Sequence, residues 1–190
     1  MGIIRPIKKI PMTTKYKIGN SILELFNGDI TVYGTEAIAN AANRRLSPGG
    51  GVSGAIHRAA GPQLWEECKK LGGCNTGEAK LTSGYNLKAK YVIHTVGPVY
   101  SSSISDPEDL KDCYKNCLLL ASRNKIKSIS FPSISTGIFG YPIKDASMIA
   151  LKTIINFLKE HVEIELVRMV LFSNGDYNIY KSSLENILKD

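Results

Sequence analysis

From residue 15 to residue 188, short apolar runs of strand length alternate with longer mixed stretches of helix length. Lys15–Ile18 and Ser21–Phe26 read as two strands joined at Gly19-Asn20, a dipeptide suited to a tight hairpin turn. Ala37–Asn40, Lys80–Ser83, Tyr91–Thr95, Ile126–Phe131 and Glu165–Phe172 read as further strands. Tyr91–Thr95 is apolar enough to be central in a sheet covered on both faces. Between them, Gly54–Ala60, Pro62–Leu71, Glu108–Arg123, Asp145–Glu160 and Asp176–Leu188 read as helices. Pro62 takes the first-turn position that tolerates its missing N–H. Leu64, Trp65, Leu110, Leu118, Leu119 and Leu120 are the candidates to face inward. A hairpin followed by alternating helices and strands predicts an α/β fold, a three-layer α/β/α domain with a mixed, mostly parallel central sheet. Met1–Thr14, with two prolines and several basic residues, reads as an N-terminal extension, and residues 15–190 as a single domain.

Composition narrows the class. At 43% hydrophobic and 22% charged residues, with no apolar run of membrane-spanning length, the chain has the makeup of an ordinary soluble domain. Met1–Met12 lacks the long apolar stretch of a secretory signal, so a cytoplasmic location is expected. The formal charge of +7 suits an anionic partner. Lysines such as Lys88, Lys90, Lys125 and Lys127 are scattered, and no basic stripe interleaved with aromatics appears, which argues for solvated surface and against nucleic acid. Cys68, Cys74, Cys113 and Cys117 lack CxxC spacing; Cys113 and Cys117 stand one helical turn apart, and core thiols are expected in place of a disulfide or metal site. His57, His94 and His161 are far apart in sequence and lack ligand-like spacing.

Two segments carry candidate chemistry. Asn40–His57 runs from a strand end through Gly49, Gly50 and Gly51 into a helix; three residues without Cβ let backbone N–H groups approach a ligand closely. The glycine run alone is equally a flexible turn, since neither G-x-G-x-x-G nor the P-loop pattern is present. A second loop, Ser133–Tyr141, follows the strand ending at Pro132 and again offers hydroxyls, glycines and backbone donors. Two such loops at strand carboxyl ends make a crevice for a diphosphate. Asp29, just after another strand, is either the cap of a probable helical turn at Thr31–Tyr33 or a ligand residue. Asn43 either closes an Asx-turn or binds a ligand hydroxyl, and Phe139 and Phe172 are either core or ligand-facing.

Asn40–Asn43, the GGGV at Gly49–Val52 with the helix Ala55–Gly61, His94–Pro98, Ser135-Thr136-Gly137 and Phe139–Pro142 together resemble the macrodomain family, within it the branch of ADP-ribose hydrolases that remove ADP-ribosyl or acetyl groups. The resemblance runs from about Leu25 to the last strand. It implies that Asp29 accepts a hydrogen bond from the adenine amino group with the Ile30 backbone beside it, a choice that an acceptor-only carboxylate enforces. It implies that Asn43 orients the distal ribose, with Asn40 buttressing the loop. Gly49, Gly50, Gly51 and Val52 would supply backbone to the distal ribose and diphosphate, and Ser135, Thr136, Gly137, Ile138 and Phe139 would wrap the phosphates. Phe139 would cover the distal ribose and Phe172 would lie against adenine. The implied partners are ADP-ribose, its adducts and ADP-ribosylated proteins; the implied chemistry needs water and no cofactor.

One position departs from that pattern. Hydrolases of this branch carry aspartate directly after GGGV, where this chain has Ser53, a far poorer base. Asn43 and Ser53 remain the candidate catalytic residues: the substrate's own diphosphate would help activate a water that Ser53 holds, giving a slow hydrolase. The alternative is a non-catalytic ADP-ribose reader. His57, one turn beyond Ser53, fits a core or helix-surface role better than activation of a serine nucleophile.

Overall fold

A computed structural model describes residues 11–189, so Met1–Ile10, most of the expected N-terminal extension, lie outside the described residues. The elements are β1 Thr13–Ile18, β2 Ser21–Asn27, β3 Ala37–Ala41, α1 Gly51–Ala60, α2 Pro62–Lys70, β4 Ala79–Ser83, β5 Tyr91–Thr95, α3 Asp106–Arg123, β6 Ser128–Phe131, α4 Ile143–Glu160, β7 Leu166–Leu171 and α5 Asn174–Ile187. They form one seven-stranded sheet in the order β1-β2-β7-β6-β3-β5-β4. The pairs β2–β7, β7–β6, β6–β3 and β3–β5 are parallel, while the β1–β2 hairpin and the edge strand β4 run antiparallel.

The expected hairpin is present, with Gly19 supplying the positive φ of its turn. Its first strand begins two residues earlier than expected: Thr13 and Thr14 pair with Phe26 and Leu25 and so belong to the sheet, not to an extension. Thr31–Tyr33 is not helical. Asp29 O accepts from Val32 N to close one isolated turn, because the chain must turn back to enter β3. Conversely, α1 begins at Gly51, three residues before the expected start, so Val52 and Ser53 stand in its first turn. β5 is second from the sheet edge, not central; its apolar run follows from cover on both faces, Val92 facing one core cluster and Ile93 the other.

The faces divide cleanly. One cluster packs α1 and α2 through Ile56, Ala60, Leu64 and Cys68 against Ile38, Val92 and Val170 of the sheet. The larger cluster packs α3, α4 and α5 through Leu110, Leu118, Leu151, Ile154 and Tyr180 against Leu23, Leu25, Ile129 and Met169. Trp65, Leu119 and Leu120 are only partly buried, at the margins of these clusters. All four cysteines are free and buried, with Cys113 and Cys117 both on the inner side of α3. Burial raises the thiols of Cys68, Cys74 and Cys113 to about 11, which keeps them protonated and unreactive at neutral pH.

This connectivity places the site. From β3 the chain passes through α1 and α2 on one face to β4 and β5; from β5 it returns through α3 on the opposite face to β6, on the other side of β3. The winding therefore reverses between β3 and β6, and a crevice opens beyond their carboxyl ends, as expected at such a switch point. Next to it, Arg168 of β7 donates from Nε to Glu24 of β2 at 2.6 Å, and its guanidinium lies 5.3 Å from the Phe26 ring centroid. Glu24 and Arg168 are register partners, so this ion pair fixes the strands that deliver Asp29 and Phe172.

Candidate ligand site at the parallel strand ends

A cavity of about 750 Å³ occupies the crevice. Its wall is built from the carboxyl ends of β2, β7, β6, β3 and β5 and from the first turns of α1 and α5. All fourteen residues singled out from sequence line it: Asp29 and Ile30 after β2, Asn43 after β3, Gly49–Ser53 at the α1 start, Ser135–Phe139 after β6, and Phe172 after β7. The structure also brings in residues that sequence reasoning did not assign to a ligand, notably Arg58, Gly97 and Asp176.

At the β2 side, Asp29 Oδ1 accepts from Thr31 N at 2.8 Å and Thr31 Oγ1 at 2.7 Å. One carboxylate oxygen thus holds a local turn in place of the expected helical one, and the other is left for a donor. Phe172 projects with 85% of its surface exposed, a flat apolar face at the mouth.

At the β3 side, Asn43 organises its own loop. Its Oδ1 accepts from Arg45 N and Ser47 N at 3.1 and 3.2 Å, and its Nδ2 donates to Ser47 O at 2.9 Å. The Asx-turn is therefore real, and the second Nδ2 hydrogen stays available toward the cavity. Leu46, fully buried at φ 58°, pins that loop to the core. Gly49 brings the two catalytic candidates together: a Cβ built there would lie 3.5 Å from Asn43 Nδ2 and 3.8 Å from Ser53 Oγ. α1 docks so closely on this loop that a Cβ on Gly54 would stand 2.3 Å from Gly49 O, which only glycine permits.

Ser53 is 4% exposed and its Oγ has no hydrogen-bond partner among the described residues. As the third residue of a helix whose first turn carries no acidic group, it sits where unpaired backbone N–H groups favour an anion. His57 is buried, does not line the cavity, and has both ring nitrogens unpartnered among the described residues. Burial lowers its pKa, and no carboxylate among the described residues bonds its ring. His94 serves the scaffold: Nδ1 hydrogen-bonds the Asn40 amide at 3.1 Å and Nε2 the Thr82 hydroxyl at 2.9 Å, and burial drives its pKa down to about 3. Asn40 thereby ties β3 to β5 directly behind the loop.

The Ser133–Tyr141 loop forms the opposite wall. Ser135 has φ 65°, is 6% exposed, and leaves its Oγ without a partner among the described residues. It nests against Gly97, where a Cβ would come within 2.1 Å of that Oγ. Ile138 reaches across the crevice, its Cδ1 3.3 Å from the position of a Cβ on Gly50. Phe139 is half-buried, and its O accepts from Tyr100 N at 2.8 Å. Among the described residues no group of three or more His, Cys, Asp or Glu is placed to hold a metal.

A crevice at the winding reversal of an α/β sheet, walled by two loops rich in glycine and hydroxyl residues, stands where folds of this class hold nucleotide-type ligands. The Macro domain family model matches residues 39–150, and the chain belongs to that family. It is 52% identical over 165 residues to human ADP-ribose glycohydrolase MACROD2, covering 85% of this chain and 39% of that protein, so it spans about two-fifths of the longer relative's length. It is 49% identical over 166 residues to macro domain-containing protein CT2219 of Chlorobaculum tepidum, covering 87% of this chain and 96% of that one. Among solved structures, the Oceanobacillus iheyensis macrodomain with ADP superposes with a TM-score of 0.93 at 45% identity, over 95% of this chain and 99% of that one. The Trypanosoma brucei macrodomain in complex with ADP-ribose superposes with a TM-score of 0.81 at 45% identity, over 84% and 68% of the two chains.

Proposed function

We propose that this chain binds ADP-ribose in the crevice and hydrolyses its adducts: O-acetyl-ADP-ribose, ADP-ribose esters of Asp and Glu side chains on proteins, and ADP-ribose 1″-phosphate. The convergence of Asn43, Gly49 and Ser53 on one wall of a cavity whose other end holds Asp29 and Phe172 carries this reading. Relatives named as ADP-ribose glycohydrolases and a neighbour solved with ADP-ribose support it.

Adenine lies against Phe172 with its amino group donating to Asp29, the diphosphate lies between Gly49–Val52 and Ser135–Phe139, and the distal ribose reaches Asn43 and Ser53. Backbone N–H groups at the start of α1 neutralise part of the diphosphate charge. The free Nδ2 hydrogen of Asn43 fixes the distal ribose, and Ser53 Oγ holds the attacking water. That water loses its proton to the substrate's diphosphate as the ester bond breaks, and ADP-ribose and a free acid leave. Serine contributes position and not basicity, so turnover is slow. A cytoplasmic location belongs to the same reading, supported by four reduced, buried thiols.

A second reading, a reader that binds without turnover, is favoured by the lack, among the described residues, of any group hydrogen-bonded to Ser53 Oγ that could activate it; His57 makes no hydrogen bond to it. One experiment separates the two. ADP-ribose is titrated by calorimetry, and release of ADP-ribose is then followed from O-acetyl-ADP-ribose and from a protein modified on glutamate. Binding with release above the buffer rate supports the hydrolase. Binding without release makes the chain a reader, and no binding removes both.

A further inference from the structure

The crevice is lined by three charged side chains among the described residues, and they are unevenly placed. Arg58 belongs to α1, beyond Ser53, whereas Asp29 and Asp176 share the far end with Phe172. In a chain of net charge +7, the end assigned above to adenosine is therefore lined, among the described residues, by two carboxylates and no cation.

Asp176 is positioned by the start of α5. The N-cap Ser173 accepts through Oγ from Asp176 N at 3.0 Å, which holds the aspartate in the first helical turn, four residues beyond Phe172. Its side chain is half-buried, and its carboxylate takes part in no hydrogen bond or salt bridge among the described residues. Asp29 has already committed one oxygen to Thr31, so Asp176 is the less encumbered acceptor at this end.

A base lying on Phe172 places its own ribose within reach of the next helical turn. An ionised carboxylate accepts and cannot donate, so it suits a vicinal diol, which offers two O–H donors. It is equally unsuited to a phosphate, whose negative charge it repels, and no cation among the described residues lining that end compensates. Dinucleotide folds use the same contrast, an acidic residue taking the free ribose hydroxyl and an arginine the 2′-phosphate. We propose that Asp176 is a specificity-determining residue: it accepts the hydroxyls of the adenosine ribose and excludes ligands phosphorylated there, so that the site separates NAD-derived from NADP-derived ADP-ribose. This inference rests on the orientation given under the proposed function.

The test is calorimetric titration of the protein and of Asp176→Asn and Asp176→Lys with three probes: ADP-ribose, its 2′-deoxyadenosine analogue and ADP-ribose 2′-phosphate. The unaltered protein should prefer ADP-ribose over the 2′-phosphate by about tenfold or more. Loss of the 2′-hydroxyl should weaken binding about tenfold in the unaltered protein and less than about twofold in Asp176→Asn. Asp176→Lys should bring the 2′-phosphate to within about threefold of ADP-ribose or past it. A merely structural role at the helix start would weaken all three probes alike and leave these ratios unmoved, which overturns the proposal. Equal affinity of the unaltered protein for ADP-ribose and its 2′-phosphate also overturns it while leaving the proposed function intact. Failure to bind ADP-ribose at all overturns both.

Discussion

Replacing Ser53 with aspartate should raise the hydrolytic rate while leaving ADP-ribose affinity within about tenfold of the original. Ser53 is 4% exposed, its Oγ has no partner among the described residues, and it lies 3.8 Å from where a Cβ on Gly49 would stand. A carboxylate there stands at the third residue of α1, in a first turn with no acidic group. Favourable interaction with the helix start is worth about 0.3–1 kcal/mol, and up to about 2 kcal/mol where partly buried. This offsets much of the cost of burying the charge, so the variant should lose no more than about 2 kcal/mol of stability. A positioned general base contributes about 10²- to 10⁴-fold, equivalent to lowering the barrier by about 3–5 kcal/mol. Single-turnover release of ADP-ribose from a glutamate-modified protein measures this directly. The gained rate should also fall at acid pH as the new carboxylate protonates, a limb absent from the unaltered protein. Ser53→Ala should lose about tenfold if the hydroxyl orients the water through one hydrogen bond. If Ser53→Asp binds ADP-ribose normally yet turns over no faster, the placement of the attacking water beside residue 53 is refuted.

Phe172→Ala should weaken ADP-ribose binding by about 1–3 kcal/mol, the worth of one base on an aromatic face. Its thermal midpoint should stay nearly unchanged, because the residue is already 85% exposed; a normal affinity by calorimetry would contradict the assigned adenine position. Gly97→Ala forces a Cβ to within 2.1 Å of Ser135 Oγ, so it should cost about 1–3 kcal/mol in urea denaturation and also weaken ADP-ribose binding. Stability should fall with acid before the carboxylates titrate. His94 has its pKa lowered to about 3 and His57 is lowered too, so the unfolded chain binds protons below about pH 6.5 that the folded chain refuses. His94 should therefore cost about 1 kcal/mol between pH 7 and 5.5, with His57 adding in the same direction, and the full stabilisation is present only above that range. A flat urea midpoint across this interval, or an equal slope in His94→Gln, would contradict burial of the neutral rings.

Much of the fold was readable because local pattern and tertiary environment agree. Strands such as β3 and β7 carry apolar residues on both faces because helices cover both, and the chain alternates strand and helix as parallel crossovers require. The start of α1 was misread because Gly49–Gly51 have poor helix propensity; the helix begins at Gly51 because Gly54 lets it dock on Gly49 O, a contact with no local signature. The turn after Asp29 was overread for the converse reason, a good cap followed by a chain that must turn into β3. The fourteen lining residues lie in motifs of loop chemistry, glycine and hydroxyl, that announce themselves. Arg58 and Asp176 sit on ordinary-looking helical stretches, and only packing turns them toward the crevice. Their nearest local signal was position: each lies within a turn or two of a helix that begins at a strand's carboxyl end. Gly97 stood inside a recognisable motif, but its purpose depends on Ser135, brought against it from 38 residues further along the chain, and on the positive φ that Ser135 adopts.

The crevice wall draws on residues from Gly28 to Asp176, delivered by five strands and two helices that meet only when the whole sheet is assembled. No fragment of the chain holds more than part of the wall, so a ligand has little purchase on partly folded states. By mass action, a ligand confined to the complete fold stabilises it as a whole, by about 2.7 kcal/mol when present at a hundred times its dissociation constant. For a domain of this size that corresponds to a rise of about 5–10 °C in melting temperature. Thermal shift thus becomes a readout of occupancy, and ADP-ribose analogues can be ranked on unmodified protein by the folding equilibrium itself, without a substrate or a label.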